Sequence, residues 1–317
     1  ELLKFGGNLT GFNLVNYFAR NLDDILIGRF YGARDLGLYQ KAYELLMVPM
    51  RQINAPISSV AIPALSRLTD QAERYRKMYL RILEKILMIT MPGGAFMIAA
   101  ADWLVVLVLG DQWVEAAEIF AVLGVGMFSQ PASNTSGWLF ISQDRTDSMM
   151  RWGLVGSSLS VVAFVAGLPW GPFGVAAVYS VSGVLLRTPL LMWWVGREGP
   201  VSMGDIYRRM VPFAFTAVCA GGALWALRRY VDIDRPIIGV AAAAGVTLVS
   251  SLLALLVTPT GRRALFDIGN VVRYLRREGG DGGDDRDGGD ERDGDDELAG
   301  GDWQTGEDEP DEEDHEQ

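Results

Sequence analysis

Apolar residues fall in six long runs, roughly 83–108, 113–141, 151–168, 172–195, 210–227 and 236–257. A helix needs about 20 mostly apolar residues to cross the bilayer hydrocarbon, and each run is near or above that length. None alternates with the period of two that marks a half-buried strand. Two further stretches, 7–28 and 37–63, are as long but speckled with polar groups. Length and the absence of alternation again favour helix. A soluble amphipathic hairpin is the alternative for these two, but the sequence holds no soluble domain for it to pack against. The pattern predicts an all-α integral membrane protein with about eight transmembrane helices.

The loops between these runs carry an uneven charge. The side on which the first run begins holds 17 Lys or Arg, clustered at 67–85, 145–151, 197–209 and 262–277. The opposite side holds five: Arg29, Arg34, Arg228, Arg229 and Arg235. Cytoplasmic loops are enriched in Lys and Arg, so the basic side is expected in the cytoplasm, with the C-terminus there too. The predicted localisation is the cytoplasmic membrane, multi-pass. A miscounted helix would scramble this asymmetry.

Composition divides the chain further. Of 317 residues 50% are apolar, and the formal charge is −11. Residues 279–317 hold 19 Asp or Glu against two Arg, a charge of −17, which leaves +6 on the rest. The tail has too few apolar groups to offset the entropy of ordering it, so it is expected to be disordered. Plain solvation in a salty cytoplasm is preferred over a regulatory or metal-binding role. Before it, Leu265, Ile268, Val272 and Leu275 share one helical face flanked by arginines, which suits a helix lying in the membrane interface.

Several chemistries are excluded or disfavoured. The single His, His315, lies in the acidic tail, and the single Cys, Cys219, lies in an apolar run. Triad catalysis lacks a packed imidazole. Disulfides, thiolate zinc sites and redox pairs are excluded by count. The loops are too short for a catalytic domain. No enzyme activity, cofactor, metal or nucleic-acid partner is expected. The opening ELLKFGGNLTGF has no Met or signal-peptide pattern and reads as the start of a fragment or a processed product, with fragment favoured.

Polar groups inside the runs are costly and usually face a cavity or a partner. Asn13, Tyr17, Arg20 and Asp24 recur at helical spacing in the first run, and Asn16, Asn21 and Asp23 widen the stripe. Arg20 and Asp24 are spaced to pair. In the second run Lys41, Glu44 and Arg51 share a face, and a kink is expected at Pro49 and Pro56. Lys41 and Glu44 are expected to neutralise each other, whereas Arg51 has no carboxylate at pairing distance in its own helix. The fourth run carries SQPASNTSGW at its centre, where Pro131 frees backbone groups and Ser129, Gln130, Ser133, Asn134 and Thr135 offer partners. Arg187 is a further buried cation. The reading is a polar cavity lined by the first, second and fourth spans, with two or three arginines facing an anion. The alternative is helix–helix glue. The Gly and Ser of GSSLS and SVSG are expected to serve close packing.

With these residues in view, the stretch from FGGNLTGFNLVNYFARNLDDILIGRFYG to INAPISSVAIPALSRL resembles the seventh and eighth helices of polysaccharide-transporter flippases. GWLFISQDRTDSMMRWG and GLPWGPFGVAAVYSVSGVLLRTPLLMWWVGREGPV resemble later parts of the same family. These are the O-antigen and exopolysaccharide exporters of the multidrug/oligosaccharidyl-lipid/polysaccharide superfamily. The resemblance covers about residues 5–230. It implies the second six-helix lobe plus two extra helices of a 14-helix flippase: a bundle at 1–200, two more helices at 201–260, the interfacial helix at 261–278 and the disordered tail at 279–317. It implies movement of a lipid-pyrophosphate-linked oligosaccharide across the membrane by alternating access between two lobes. The implied partners are membrane lipids, that substrate, a missing N-terminal lobe and polysaccharide-assembly proteins. By position, Arg20 and Arg51 are the candidates to meet the pyrophosphate. Asn13, Asn16, Gln130 and Asn134, with Tyr17, are candidates for sugar contacts. In the alternative of a cation-coupled multidrug exporter, Asp23 or Asp24 would couple the ion. A membrane polymerase or glycosyltransferase is the other alternative, disfavoured by the short loops.

Overall fold

The computed structural model describes residues 21–263, and all regular structure among them is helical. These residues belong to a single unit assigned to Glu1–Gly269, and the second unit, Asn270–Gln317, lies outside the described residues. The helices are α1 (Leu22–Ser66), α2 (Ala72–Ala99), α3 (Ala101–Leu109), α4 (Ala116–Val125), α5 (Gln130–Ser142), α6 (Thr146–Gly167), α7 (Gly171–Ser182), α8 (Thr188–Gly196), α9 (Met203–Tyr230) and α10 (Pro236–Val257). Among them, four stretches are long and apolar enough to cross a membrane: Ala72–Ala99, Thr146–Gly196, Met203–Tyr230 and Pro236–Val257. A shorter apolar stretch covers Ala116–Phe128. Together these make a multi-pass membrane protein.

Three of the expected spans are more broken than their hydropathy suggested, and residues 7–20 of the first lie outside the described residues. The run at 83–108 is α2 followed by α3, parted at Ala100. The fourth run is α4, a 3-10 turn at Gly126–Phe128 and α5. The sixth is α7, a π turn at Gly183–Arg187 and α8. The second departs the other way. No loop separates 28 from 37, and the helix is broken only at Gly32, with φ 89° and ψ 180°, a conformation open to glycine. The helix runs through Pro49 and Pro56, where a kink is expected, and through Pro63, with helical dihedrals at all three. The interfacial helix and the acidic tail fall almost wholly outside the described residues.

Two buried clusters hold the bundle, one towards each end. One joins Leu65, Tyr75, Tyr79, Leu83, Phe140, Met192 and Phe213, next to the turns at 67–71, 143–145 and 197–202. The other joins Ile27, Tyr39, Leu46, Val105, Phe120 and Val175, next to the turns at 110–115 and 168–170. In lipid there is no water for these side chains to escape, so the clusters hold the helices by close van der Waals packing. α9 and α10 join through Ala100, Leu224 and Ala243. Gly239 lies against the Trp103 indole, where a Cβ would collide with the ring. The long outward faces of α9 and α10, with Val211, Val218, Leu248 and Leu253 exposed, suit a lipid surroundings in which apolar exposure carries no penalty.

Between the two clusters the packing turns polar, and this layer contains the candidate site.

Candidate functional site

The break in the fourth run creates the site. Pro131 cannot donate a backbone hydrogen bond, so it is tolerated in the first turn of α5 rather than inside a continuous helix. Local hydroxyls take up the loosened backbone. Ser129 Oγ donates to the Gly126 carbonyl at 2.8 Å, Thr135 Oγ1 to the Pro131 carbonyl at 2.8 Å and Ser136 Oγ to the Ser133 carbonyl at 2.6 Å. Irregular backbone at membrane depth is stable only inside protein or along a cavity, and here two cavities flank the break.

The first cavity, about 460 Å³, lies between α1 and α5 and is lined by Met47, Met50, Arg51, Asn54, Ala55, Ser58, Gln130 and Asn134. Arg51 is exposed to it, and among the described residues no carboxylate lies within ion-pair distance of its guanidinium. Three side-chain amides share the walls. The Asn54 carbonyl oxygen is buried with no hydrogen-bond donor. Ser58 is held in place, donating to the Asn54 backbone carbonyl at 2.8 Å and accepting from Trp138 Nε1 at 2.9 Å.

The second cavity, about 370 Å³, lies among α5, α6, α7 and the π turn. Arg187 projects into it from the end of that turn. Its Nη1 donates to Ser160 Oγ at 2.8 Å and its Nη2 to the Tyr179 carbonyl at 2.6 Å. The guanidinium also stacks 3.9 Å from the centroid of the Tyr179 ring, whose other neighbour is Phe164 at 5.0 Å. The Arg187 Nε–H is buried and without an acceptor. Gly183 leaves room beside it, since a Cβ there would come within 2.9 Å of Nη2. Gln130 lines both cavities.

Among the expected site residues, the fold brings Arg51, Gln130 and Asn134 together at one cavity. Arg20, Asn13, Asn16 and Tyr17 lie outside the described residues. Asp23 and Asp24 line neither cavity. Asp23 Oδ2 accepts a hydrogen bond from Tyr39 at 2.9 Å, within the cluster around Ile27. Lys41 and Glu44 pair at 3.1 Å as expected. Of the cavity expected among the first, second and fourth spans, the second and fourth line the Arg51 cavity, while residues 7–20 of the first lie outside the described residues. Arg187 lies in a separate cavity among the fourth, fifth and sixth. Gly156, Ser157, Ser160, Ser180 and Gly183 line the latter, which corrects the reading of GSSLS and SVSG as packing positions alone. The close approach of α6 and α7 occurs instead at Gly167 and Gly174, where a Cβ on either would lie 2.5 Å from the other's carbonyl oxygen. The overlooked signal was the spacing that puts Ser157 and Ser160 on one face of α6 and Gly183 one turn before Arg187.

A family model described as a polysaccharide biosynthesis protein matches residues 1–118. The chain is 27% identical over 186 residues to the teichuronic acid biosynthesis protein TuaB of Bacillus subtilis, covering 58% of this chain and 38% of that protein. It is 27% identical over 165 residues to the lipopolysaccharide biosynthesis protein WzxC of Escherichia coli, covering 52% and 34%. It is 21% identical over 185 residues to the amylovoran biosynthesis protein AmsL of Erwinia amylovora, covering 58% and 48%. The chain thus spans less than half the length of each. Among solved structures it shares the fold of the lipid II flippase MurJ in an inward closed conformation, with TM-score 0.59, 14% identity and coverage of 75% of this chain and 50% of that one.

Proposed function

We propose, from the match of residues 1–118 to a polysaccharide biosynthesis family model, that this chain forms the second half of a flippase for lipid-pyrophosphate-linked oligosaccharide. The relatives are named for making teichuronic acid, lipopolysaccharide and amylovoran, and the structural neighbour is named a flippase. The observation that carries the reading is Arg51. A cation facing a cavity at membrane depth, with no carboxylate partner among the described residues and three amides beside it, is built to meet an anion bearing polar groups. A pyrophosphate supplies the anion, and attraction in that low-dielectric setting exceeds what water allows. Asn54, Gln130 and Asn134 supply donors and acceptors for the sugar. Translocation breaks no bond, so the reading asks for no nucleophile and no general base. Arg20, Asn13, Asn16 and Tyr17 complete the anion- and sugar-facing stripe, and Asp23 and Asp24 are the positions at which a coupling cation would act. A first lobe closes the cavity from the other side, the glycan-assembly proteins stand next in line, and the C-terminus faces the cytoplasm.

The test is export of lipid-linked glycan in cells producing the protein at normal level in the membrane. Arg51→Ala removes the charge that would meet the pyrophosphate and is expected to lower export at least tenfold. Arg51→Lys keeps the charge and is expected to retain part of it. Unchanged surface glycan in the Ala variant would remove Arg51 from the substrate path.

A further inference from the structure

The Arg187 cavity is not explained by an anion held at Arg51, since it lies on the opposite side of the α5 break. Its walls are chemically consistent. No Asp or Glu lines it, and Arg187 pairs with no carboxylate among the described residues. A guanidinium has five N–H donors, and Arg187 gives one to Ser160 and one to the Tyr179 carbonyl, which leaves three without a protein acceptor. An uncompensated charge at this depth is costly. Around it are the Trp152 indole, the Gln130 amide and the hydroxyls of Ser157 and Ser180, none of which has a hydrogen-bond partner among the described residues. An aromatic face, an amide and free hydroxyls are what a pyranose ring asks of a protein, while the guanidinium asks for a carboxylate or another oxyanion. At about 370 Å³ the cavity falls within the size range of small-ligand sites, about 300–1,000 Å³.

We propose that the Arg187 cavity is a glycan subsite that selects an acidic sugar, with the sugar carboxylate on Arg187 and the ring against Trp152, Gln130 and Ser157. This deepens the flippase reading and rests on it: Gln130, common to both cavities, joins a pyrophosphate held at Arg51 to the first glycan residues beyond it. The seating of Arg187 serves selection, because a guanidinium stacked on Tyr179 and tied to Ser160 and the Tyr179 carbonyl stays in the cavity and is left without an oxyanion when a neutral sugar enters.

The test is equilibrium binding to the purified chain, by saturation-transfer NMR, of methyl glucuronide, methyl glucoside, acetate and inorganic pyrophosphate. The glucuronide is expected to bind at least tenfold more tightly than the glucoside and than acetate. Arg187→Gln is expected to abolish that preference and Arg187→Lys to keep part of it. Ser157→Ala, away from the guanidinium, is expected to weaken both sugars alike with the preference intact, and it serves if Arg187→Gln fails to fold. Equal binding of the two sugars overturns the proposal, as does acetate binding as well as the glucuronide, or a preference that survives Arg187→Gln in a folded protein. Pyrophosphate separates the two readings. Arg51→Ala is expected to weaken pyrophosphate alone. If pyrophosphate fails to respond while the glucuronide preference stands, the Arg51 reading falls and the subsite remains. If the preference is absent while pyrophosphate responds, only the subsite falls.

Discussion

Lys41 and Arg51 lie on the same helix, α1, yet the fold treats their charges differently. Lys41 is tied to Glu44 at 3.1 Å, a partly exposed pair of the kind worth only about 0.3–0.5 kcal/mol. Arg51 is left facing amides. Both outcomes were legible from spacing, because a carboxylate three residues away either exists or does not. The Arg187 environment was less legible: its partners, Ser160 and the Tyr179 carbonyl, lie 27 and eight positions away, and only the π turn aims the side chain at them. At Asp205 a short-range signal was present but unread. Ser202 caps α9, its Oγ accepting from the Asp205 N–H at 3.2 Å, while Asp205 Oδ2 accepts from the Ser202 N–H at 3.0 Å. Arg76 of α2 donates to the same carboxylate at 2.6 Å. Asp205→Ala removes the box and leaves Arg76 unpaired, so unfolding in detergent is expected to come about 1–3 kcal/mol earlier. Asp205→Asn, which keeps an oxygen for the cap, is expected to lose less. If Arg76→Ala adds its full separate cost on top of Asp205→Ala, the two side chains are not coupled.

For the elements, hydropathy located the helices and missed their interruptions. An apolar run records only that each residue tolerates lipid or core. It is silent on whether Ala100 parts two helices or whether five residues wind as a π turn. Those choices are made by neighbours: the cluster of Ala100 with Leu224 and Ala243 at one break, the Arg187 contacts at the other. Glycine is the exception, because its backbone freedom can be read directly. The turn from α6 into α7 runs through Gly167 and Gly171, the latter at φ +71°, and Gly174 packs where a Cβ would lie 2.5 Å from both the Gly167 carbonyl oxygen and Trp170 Cβ. Gly174→Ala must push the two helices apart, and overpacking of this kind costs about 1–3 kcal/mol. The expected outcome is a lower melting temperature in detergent. Gly137→Ala meets nothing within 4 Å in α5 and is expected to leave the melting temperature unchanged or raise it slightly. Equal effects at the two positions would dismiss close packing as the reason for Gly174.

At the scale of the whole molecule, the direction of its passes follows from ion pairs that join distant segments. Arg76 meets Asp205 near the starts of α2 and α9. Glu84 meets Arg209 a little further along both. Asp102, in α3, meets Arg228 near the end of α9, at 2.5 Å, with the guanidinium 4.7 Å from the Trp103 ring centroid. Residue numbers rise together across the three pairs, so α2–α3 and α9 run parallel. That is the relation required if three crossings separate the third and seventh spans. At about 1.5 Å per helical residue the first and last pairs are roughly 35–39 Å apart along the axis, between the ~30 Å hydrocarbon core of a bilayer and the ~40–45 Å that includes its headgroup regions. The pairs therefore suit the two interfaces, where charge remains wet. On the basic bias of the loops, we propose that the Arg76 end faces the cytoplasm. With Cys219→Ser as background, a single cysteine at Asp70→Cys is expected to react with a membrane-impermeant maleimide only after the cells are opened. One at Asp234→Cys, beyond the end of α9, is expected to react in intact cells. Labelling of both from outside would break the parallel arrangement of α2–α3 and α9 across the membrane. Exchange of the two results would keep that arrangement and invert the molecule, carrying the Arg51 and Arg187 cavities with it.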